Sequence, residues 1–368
     1  MSRSDAAGRG GDAGRAGAWT PAAGASVGRP GRRTAFRAAG AAVAMAAAAT
    51  GLAACGSGNG ADASATGATR QVTDATGAKV AVPEHPRRIV TLSEPTLDGA
   101  LALKAHVIGT TSGRGQAGAP AYLAKRAAGV PVMASVAGPN LEKIAAAKPD
   151  LILADASVRI DDGTRAKLGR IAPTVTVSKR GQSWNDAFTA EARVLNLASR
   201  GRGVLAAYRD RVAKVKARLG PNANAKISIV RWNSGEPSVL MAEQPASRVA
   251  ADLGLSRPAS QDHRGPGHAV PISLENLDKI DADWLFFGTL GGASGGKGDT
   301  NAGAAKVGKK ASAKLLAKAR STPGFRRLHA VRDGHVVPVD GTAWTSAGGP
   351  LAVNTVLTDM AEALAPDS

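Results

Sequence analysis

Apolar and polar positions along the chain follow two different periods. From about Gln71 onward, short β-rich runs (Arg88–Leu92, Val107–Gly109, Val130–Met133, Leu151–Ala154 and Val175–Ser178) are separated by stretches with helical spacing (Thr96–Leu103, Leu141–Ala147 and Thr164–Ile171). Such alternation predicts α/β layers with largely parallel strands. Residues 184–219 break the rhythm: no strand-like run occurs, and Val204, Leu205, Tyr208, Val212, Val215 and Leu219 recur at helical spacing until Gly220-Pro221. Alternation then resumes with Ile227–Arg231, Val239–Met241, Trp284–Phe287 and Val336–Val339, and Pro350–Leu364 reads as a last helix. The expected fold is therefore α/β, with two Rossmann-like lobes over 71–198 and 221–368 bridged by a single long α-helix over 199–220. A helical connector is stiffer than crossing strands, so small closure of the cleft is expected.

The N-terminal pattern is of another kind. Residues 29–37 are basic, residues 38–52 are apolar and uncharged, and Leu52-Ala53-Ala54-Cys55 follows. The apolar run would span about 22 Å as a helix, short of a hydrocarbon core of about 30 Å. It reads as a signal peptide over 1–54 with a long basic n-region, ending in a lipobox. The thiol of Cys55 would then take a diacylglycerol, and two acyl chains suffice for stable anchoring to the outer face of the cytoplasmic membrane. Arg32-Arg33 hints at twin-arginine export, although Phe36 stands one residue further on than the usual pattern. Residues 55–70, rich in Gly, Ser and Ala, read as a flexible tether.

Composition sharpens this picture. At 368 residues the chain accommodates two domains of ordinary size. Aromatic residues make up only 3%, so Trp184, Trp232, Trp284 and Trp344 stand out. The net charge of +18 suggests a nucleic-acid partner at first sight. Seven Arg against two Asp precede Cys55, however, and the remaining cations lack interleaved aromatics, so nucleic acid is not expected. With a single cysteine, neither an intramolecular disulfide nor a cysteine-based zinc site is possible.

One unit is nearly duplicated. Asn140-Leu141-Glu142-Lys143-Ile144 with Lys148-Pro149-Asp150-Leu151-Ile152-Leu153 matches Ser273-Leu274-Glu275-Asn276-Leu277 with Asp281-Ala282-Asp283-Trp284-Leu285-Phe286. Both copies place Asn140 or Ser273 as a helix N-cap, a Glu in the first turn, and an Asp opening a strand. Together with the run Val82–Leu92, the stretch Phe325–Asp340 and the closing Gly348–Leu364, the chain resembles the iron-siderophore and cobalamin family of periplasmic binding proteins over essentially the whole mature length. The resemblance implies an extracytoplasmic solute-binding lipoprotein of an ABC importer, a monomeric partner of a permease dimer with its ATPase, that carries a ferric siderophore and is no enzyme. It also implies that Glu142 and Glu275 dock into arginine pockets of that permease. An acid in the first helical turn is equally favoured by the helix dipole alone, by about 0.3–1 kcal/mol.

Siderophore sites of that family use Arg and aromatic side chains from loops of both lobes, which suits a bulky anionic chelate. Loops beyond strand ends are where such sheets bind ligands. The candidates by position are Glu94, Thr96 and Arg114 in the first half, and Arg231, Trp232, Asn233 and Trp344 in the second, with Thr342 beside the last. Trp232 ranks first because it ends a strand in a polar setting; Arg114 could instead be a solvated loop residue, and Trp344 a packing residue. The loop Asp262–His268 could also reach the cleft. None of the six His residues forms an i, i+4 pair, so no metal site and no cofactor are expected, the iron arriving already wrapped by its carrier.

Two rivals remain open. Gly303–Lys310 nearly matches a phosphate-binding loop, but Lys310 stands where Ser or Thr must ligate magnesium, and residues 288–310 read better as a surface insertion. An exported α/β hydrolase lacks a Gly-x-Ser-x-Gly elbow after the leader. The same fold with cobalamin or haem as cargo is not separated from a siderophore by resemblance.

Overall fold

The computed structural model describes residues 67–365 apart from 234, 235, 266, 291–306 and 347. The expected signal peptide, Cys55, most of the tether and most of the 288–310 insertion therefore lie outside the described residues. Residues 62–368 form one compact unit.

It opens with an antiparallel hairpin, β1 (Thr69–Thr73) and β2 (Lys79–Pro83), which strand-run reasoning did not anticipate. The exposed–half-buried alternation of β1 explains why: it buries little and carries no apolar run. The first lobe follows with β3 (Ile89–Thr91), α1 (Glu94–Ala102), β4 (Val107–Thr111), β5 (Val132–Ser135), β6 (Gly138–Pro139), α2 (Leu141–Ala146), β7 (Leu151–Ala154), α3 (Asp162–Ile171) and β8 (Thr174–Thr176). These strands pair in the order β6-β5-β4-β3-β7-β8, parallel except for β6. Strands β3, β7 and β8 are buried along their whole length, as a sheet covered on both faces requires.

The helical stretch 184–219 forms two helices. α4 (Trp184–Val194) and α5 (Ala198–Lys216) are separated by a turn in which Asn196 takes φ 57°, a conformation Asn tolerates better than most residues. Gly201 lets the two pack closely, since a Cβ there would stand 2.7 Å from the Cβ of Ala192. α5, the connector, packs Tyr208, Val212 and Val215 inward with α11 (Pro350–Leu364).

The second lobe contains β9 (Ile227–Asn233), β10 (Glu236–Leu240), α6 (Pro245–Asp252), β11 (Ala269–Pro271), β12 (Trp284–Gly288), α7 (Lys309–Ala319), α8 (Pro323–Arg326), α9 (His329–Arg332), β13 (Val336–Pro338) and α10 (Gly341–Trp344), ending in α11. Its sheet runs β11-β10-β9-β12-β13, with β9, β12 and β13 parallel but β10 and β11 antiparallel.

The duplicated unit has a structural core. Asp150, just before β7, accepts the amides of Arg87 (2.7 Å) and Arg88 (2.9 Å) at the entry to β3; Asp283, just before β12, accepts the amide of Lys226 (2.8 Å) at the entry to β9. Each Asp thus pins the first strand of its lobe to the neighbouring parallel strand through charge-assisted bonds. The cap half of the repeat diverges. Asn140 caps α2 by accepting the amide of Lys143 (2.9 Å), whereas Ser273 makes no such bond and its segment, Leu274–Ile280, is a kinked 3-10 turn. The expectation of a second capped α-helix is corrected there.

Candidate functional site

Loops of both lobes line a cleft of about 230 Å³. The first lobe contributes Pro95 after β3, Arg114 after β4, Asp155–Ser157 after β7 and Ser178–Gln182 after β8; the second contributes Glu243–Pro245, Gly267–His268 and Gly348. In the first lobe these are loops at the carboxyl ends of parallel strands, the place where neighbouring βα units diverge; in the second, Glu243–Pro245 follow the antiparallel β10 and Gly267–His268 precede β11.

Below the cleft the lobes are joined by buried polar contacts. Glu94, the first residue of α1, accepts the backbone amide of Arg114 (2.9 Å) and a short hydrogen bond from the hydroxyl of Ser346 in the other lobe. Burial pushes its carboxyl up, against the pull of the Arg114 charge. One turn further, Asp98 accepts the amides of Leu351 (2.7 Å) and Ala352 (2.9 Å) at the start of α11 and the hydroxyl of Tyr122 (2.9 Å). A carboxylate of one lobe thereby caps a helix of the other. Burial still dominates and raises Asp98 to about 6. Glu191 of α4, in the space that Gly99 leaves open, is buried beside Asp98 and Asp155 and is pushed well above the usual carboxylate range, first by burial and then by those charges.

Arg231 of the second lobe lies near Arg114, which lines the cleft. The half-buried Arg231 of β9 donates weakly to the Thr345 carbonyl (3.4 Å), and its Nε is buried without a partner. Burial, helped by the positive charge of Arg114 from the opposite lobe, lowers Arg231 to about 10. His268 sits 3.0 Å from the same carbonyl and is held to about 4 by burial and by Arg231 and Arg114, so it is neutral at pH 7 and donates through Nε2. Two like charges from separate lobes, partly stripped of water, make a setting that an anionic group relieves.

Of the residues expected to bind ligand, Arg114 lines the cleft, Glu94 lies behind it as acceptor of the Arg114 amide, Arg231 lies near enough to feel the Arg114 charge, and the others stand away from the lining. Trp232 is a core residue, its ring packed at 5.6 Å from Phe287 and 5.4 Å from Phe325. Trp344 is also core: it stacks on Phe286 at 4.6 Å and donates its indole N–H to Asp359 (2.7 Å). Thr96 is fully buried in the capping box of α1 with Ser93. Asn233 is half-buried and accepts the Thr289 hydroxyl (3.2 Å) and the Leu290 amide (3.0 Å), away from the cleft lining. The period of a strand carries the warning for Trp232, because Arg231 and Trp232 are consecutive and must face opposite sides of β9. Lys179, Arg180, Gln182 and the ring of Trp184 were missed; the rule that selected the loops after β3 and β4 applies equally to the loop after β8.

Glu142 and Glu275 are both exposed, near the starts of corresponding segments, and neither takes part in an ion pair among the described residues. No helix among the described residues is long and apolar enough to cross a membrane, and none of their His, Cys, Asp and Glu side chains cluster in threes as metal ligands do.

The model of the periplasmic binding protein family matches residues 91–343. Among characterised proteins, the "Probable siderophore-binding lipoprotein YfiY" of Bacillus subtilis is 31% identical over 293 residues, covering 78% of this chain and 85% of its own. The petrobactin-binding protein YclQ of the same organism is 23% identical, covering 76% and 81%. In three dimensions the fold matches Staphylococcus aureus SirA in complex with staphyloferrin B at a TM-score of 0.66, with 23% identity over 80% of this chain and 98% of that one.

Proposed function

The chain belongs to the periplasmic binding protein family, and on that premise we propose that it is the extracytoplasmic solute-binding component of an ABC importer whose cargo is a ferric siderophore. The single observation that carries this reading is a cleft between the lobes lined by the cations Arg114, Lys179 and Arg180, with Arg231 of the second lobe near enough to feel the charge of Arg114. Guanidinium forks supply several donors each, and their partial desolvation strengthens any bond they make to an anionic chelate bridging the lobes. The siderophore-binding relative in Bacillus subtilis supports the cargo. Nothing in this role requires bond making: the ligand is held, presented and released.

Delivery follows from the two exposed carboxylates. Glu142 and Glu275, one on each lobe, offer a symmetric pair of charges to a two-fold permease, where charge pairing sets register and encounter rate. Lipidation at Cys55 keeps the protein within reach of that permease.

Trp184 lines the cleft, so its fluorescence reports binding. Titration with ferric hydroxamate, ferric catecholate, ferric carboxylate, cobalamin and haem is expected to give quenching by at least one ferric chelate with a dissociation constant below about 1 μM, weakened at least about tenfold in Arg114→Ala. Binding of cobalamin or haem alone would replace the cargo, and no binding of any of the five would sink the proposal.

A further inference from the structure

The connector α5 is basic along nearly its whole length. Arg200, Arg202, Arg209, Arg211, Lys214 and Lys216 are all exposed on it, against the single acid Asp210. Their spacing is not random around the helix. Arg202, Arg209 and Lys216 recur every seven residues and line one flank, Arg211 and Lys214 stand towards the other, and the small residues Ala206 and Ala213 fall between. The opposite face is occupied by the core, through Tyr208, Val212 and Val215. Acids are sparse around it: Asp252 borders the groove beside Arg209, and Glu362 the groove beside Arg211 and Lys214.

The folded unit begins beside this helix. Arg70 of β1 donates to the carbonyls of Arg193 (2.8 Å) and Val194 (2.5 Å), the last residues of α4, only a short turn from the start of α5 at Ala198. Residues 56–66, which separate Cys55 from the described residues, span at most about 40 Å even fully extended. The helix itself is about 28 Å long. A chain held at Cys55 therefore has its basic helix within tether range of the bilayer surface from the residue where it enters the fold.

We propose that the exposed face of α5 is a docking surface for an anionic phospholipid bilayer, a second, electrostatic attachment beside the lipid anchor. The proposal rests on the reading of Cys55 as the anchor point. Small residues along the crest let the helix approach the headgroup layer, while Arg202, Arg209, Lys214 and Lys216 turn their charges towards phosphate; Arg200 and Arg211 donate instead to the Leu103 carbonyl and to Asn354 and Thr358 of α11. A polybasic patch is the kind of second signal that turns reversible membrane contact into stable residence.

The test uses the chain from Cys55 onward, without lipid, which retains the whole compact unit. Sedimentation with mixed phosphatidylglycerol–phosphatidylcholine vesicles is expected to carry the protein down at low salt and to release it near 0.5 M salt, about where screening shortens to a few Å. Pure phosphatidylcholine vesicles are expected to leave it in solution. The triple variant Arg202→Glu, Arg209→Glu, Lys214→Glu is expected to lose at least about tenfold in affinity for the anionic vesicles. The equally charged control on α7, Lys310→Glu, Lys314→Glu, Lys318→Glu, should stay within about twofold of the parent. Equal losses in both triples would mean diffuse attraction by the whole basic protein and would overturn the proposal, as would absence of binding or equal binding to neutral vesicles. Siderophore quenching, measured on the same samples, separates failure of this surface from failure of the cleft and shows that the variants are folded.

Discussion

The two lobes share one αβ unit but bury different things. The first fills its core with aliphatic side chains and hides carboxyls along α1 and at the end of β7: Glu94, Asp98, Asp155 and, from α4, Glu191. The second gathers the chain's scarce aromatic rings, with Trp232, Phe287 and Phe325 on one face of its sheet and Phe286 and Trp344 on the other, and half-buries arginines, among them Arg231 and Arg257. What this teaches is a division of labour between halves of one motif. Aromatic packing makes the second lobe a rigid wall that holds Arg231 in place, whereas the first supplies a polar floor through which the lobes are joined.

The largest expected effect lies in the aromatic core. Trp232→Ala removes a ring held between Phe287 and Phe325 and should cost about 3–5 kcal/mol of stability, read from urea unfolding. If Trp232 instead touched ligand, the variant would keep its urea midpoint and lose affinity, and the assignment of the ring to the core would fall.

Next in size is the polar floor. The carboxyl of Asp98 rises on folding from 3.8 to about 6, chiefly through burial, so the folded state binds this proton more tightly than the unfolded chain does. Its stabilisation is therefore full below about pH 4 and is lost as pH rises through about 6, a swing of about 3 kcal/mol. Asp98→Asn keeps an acceptor for the start of α11 but cannot titrate. The gap in unfolding free energy between variant and parent should then shift in the variant's favour by roughly that amount between pH 4 and pH 7. A gap independent of pH would show that Asp98 titrates as a solvated carboxyl does, and the contrast between floor and wall would lose its electrostatic half.

Much of this architecture was legible in the chain. Leu151–Ala154 and Pro350–Leu364 were delimited to the residue, because an apolar run bounded by Asp at one end, or by Pro at the start of a helix, leaves little freedom in register. The hairpin β1–β2 and the antiparallel β10 and β11 were not legible, since pairing direction depends on partners distant in sequence and β1 has no apolar signature. At the site, position after a strand led to Arg114 in the cleft lining and to Glu94 and Arg231 near it, but not to which face each side chain takes. Trp232, Trp344 and Thr96 were lost to packing and capping. Rarity made the tryptophans conspicuous, yet in a chain with few rings the core has the first claim on them.

The smallest effect tests the repeat itself. Asn140 and Ser273 occupy the same place in the duplicated unit, but only Asn140 accepts an amide at a helix start, that of Lys143. Asn140→Ala should therefore cost about 1 kcal/mol, while Ser273→Ala, which forfeits only a bond from the exposed side chain of Asn276, should stay within about 0.5 kcal/mol of the parent. Paired urea titrations decide between two accounts of why both copies persist. Equal losses would mean that the cap is the shared structural element. Unequal losses leave Asp150 and Asp283, which clamp the first strand of each lobe, as the part that folding uses in both copies, and Glu142 and Glu275 as the part it does not.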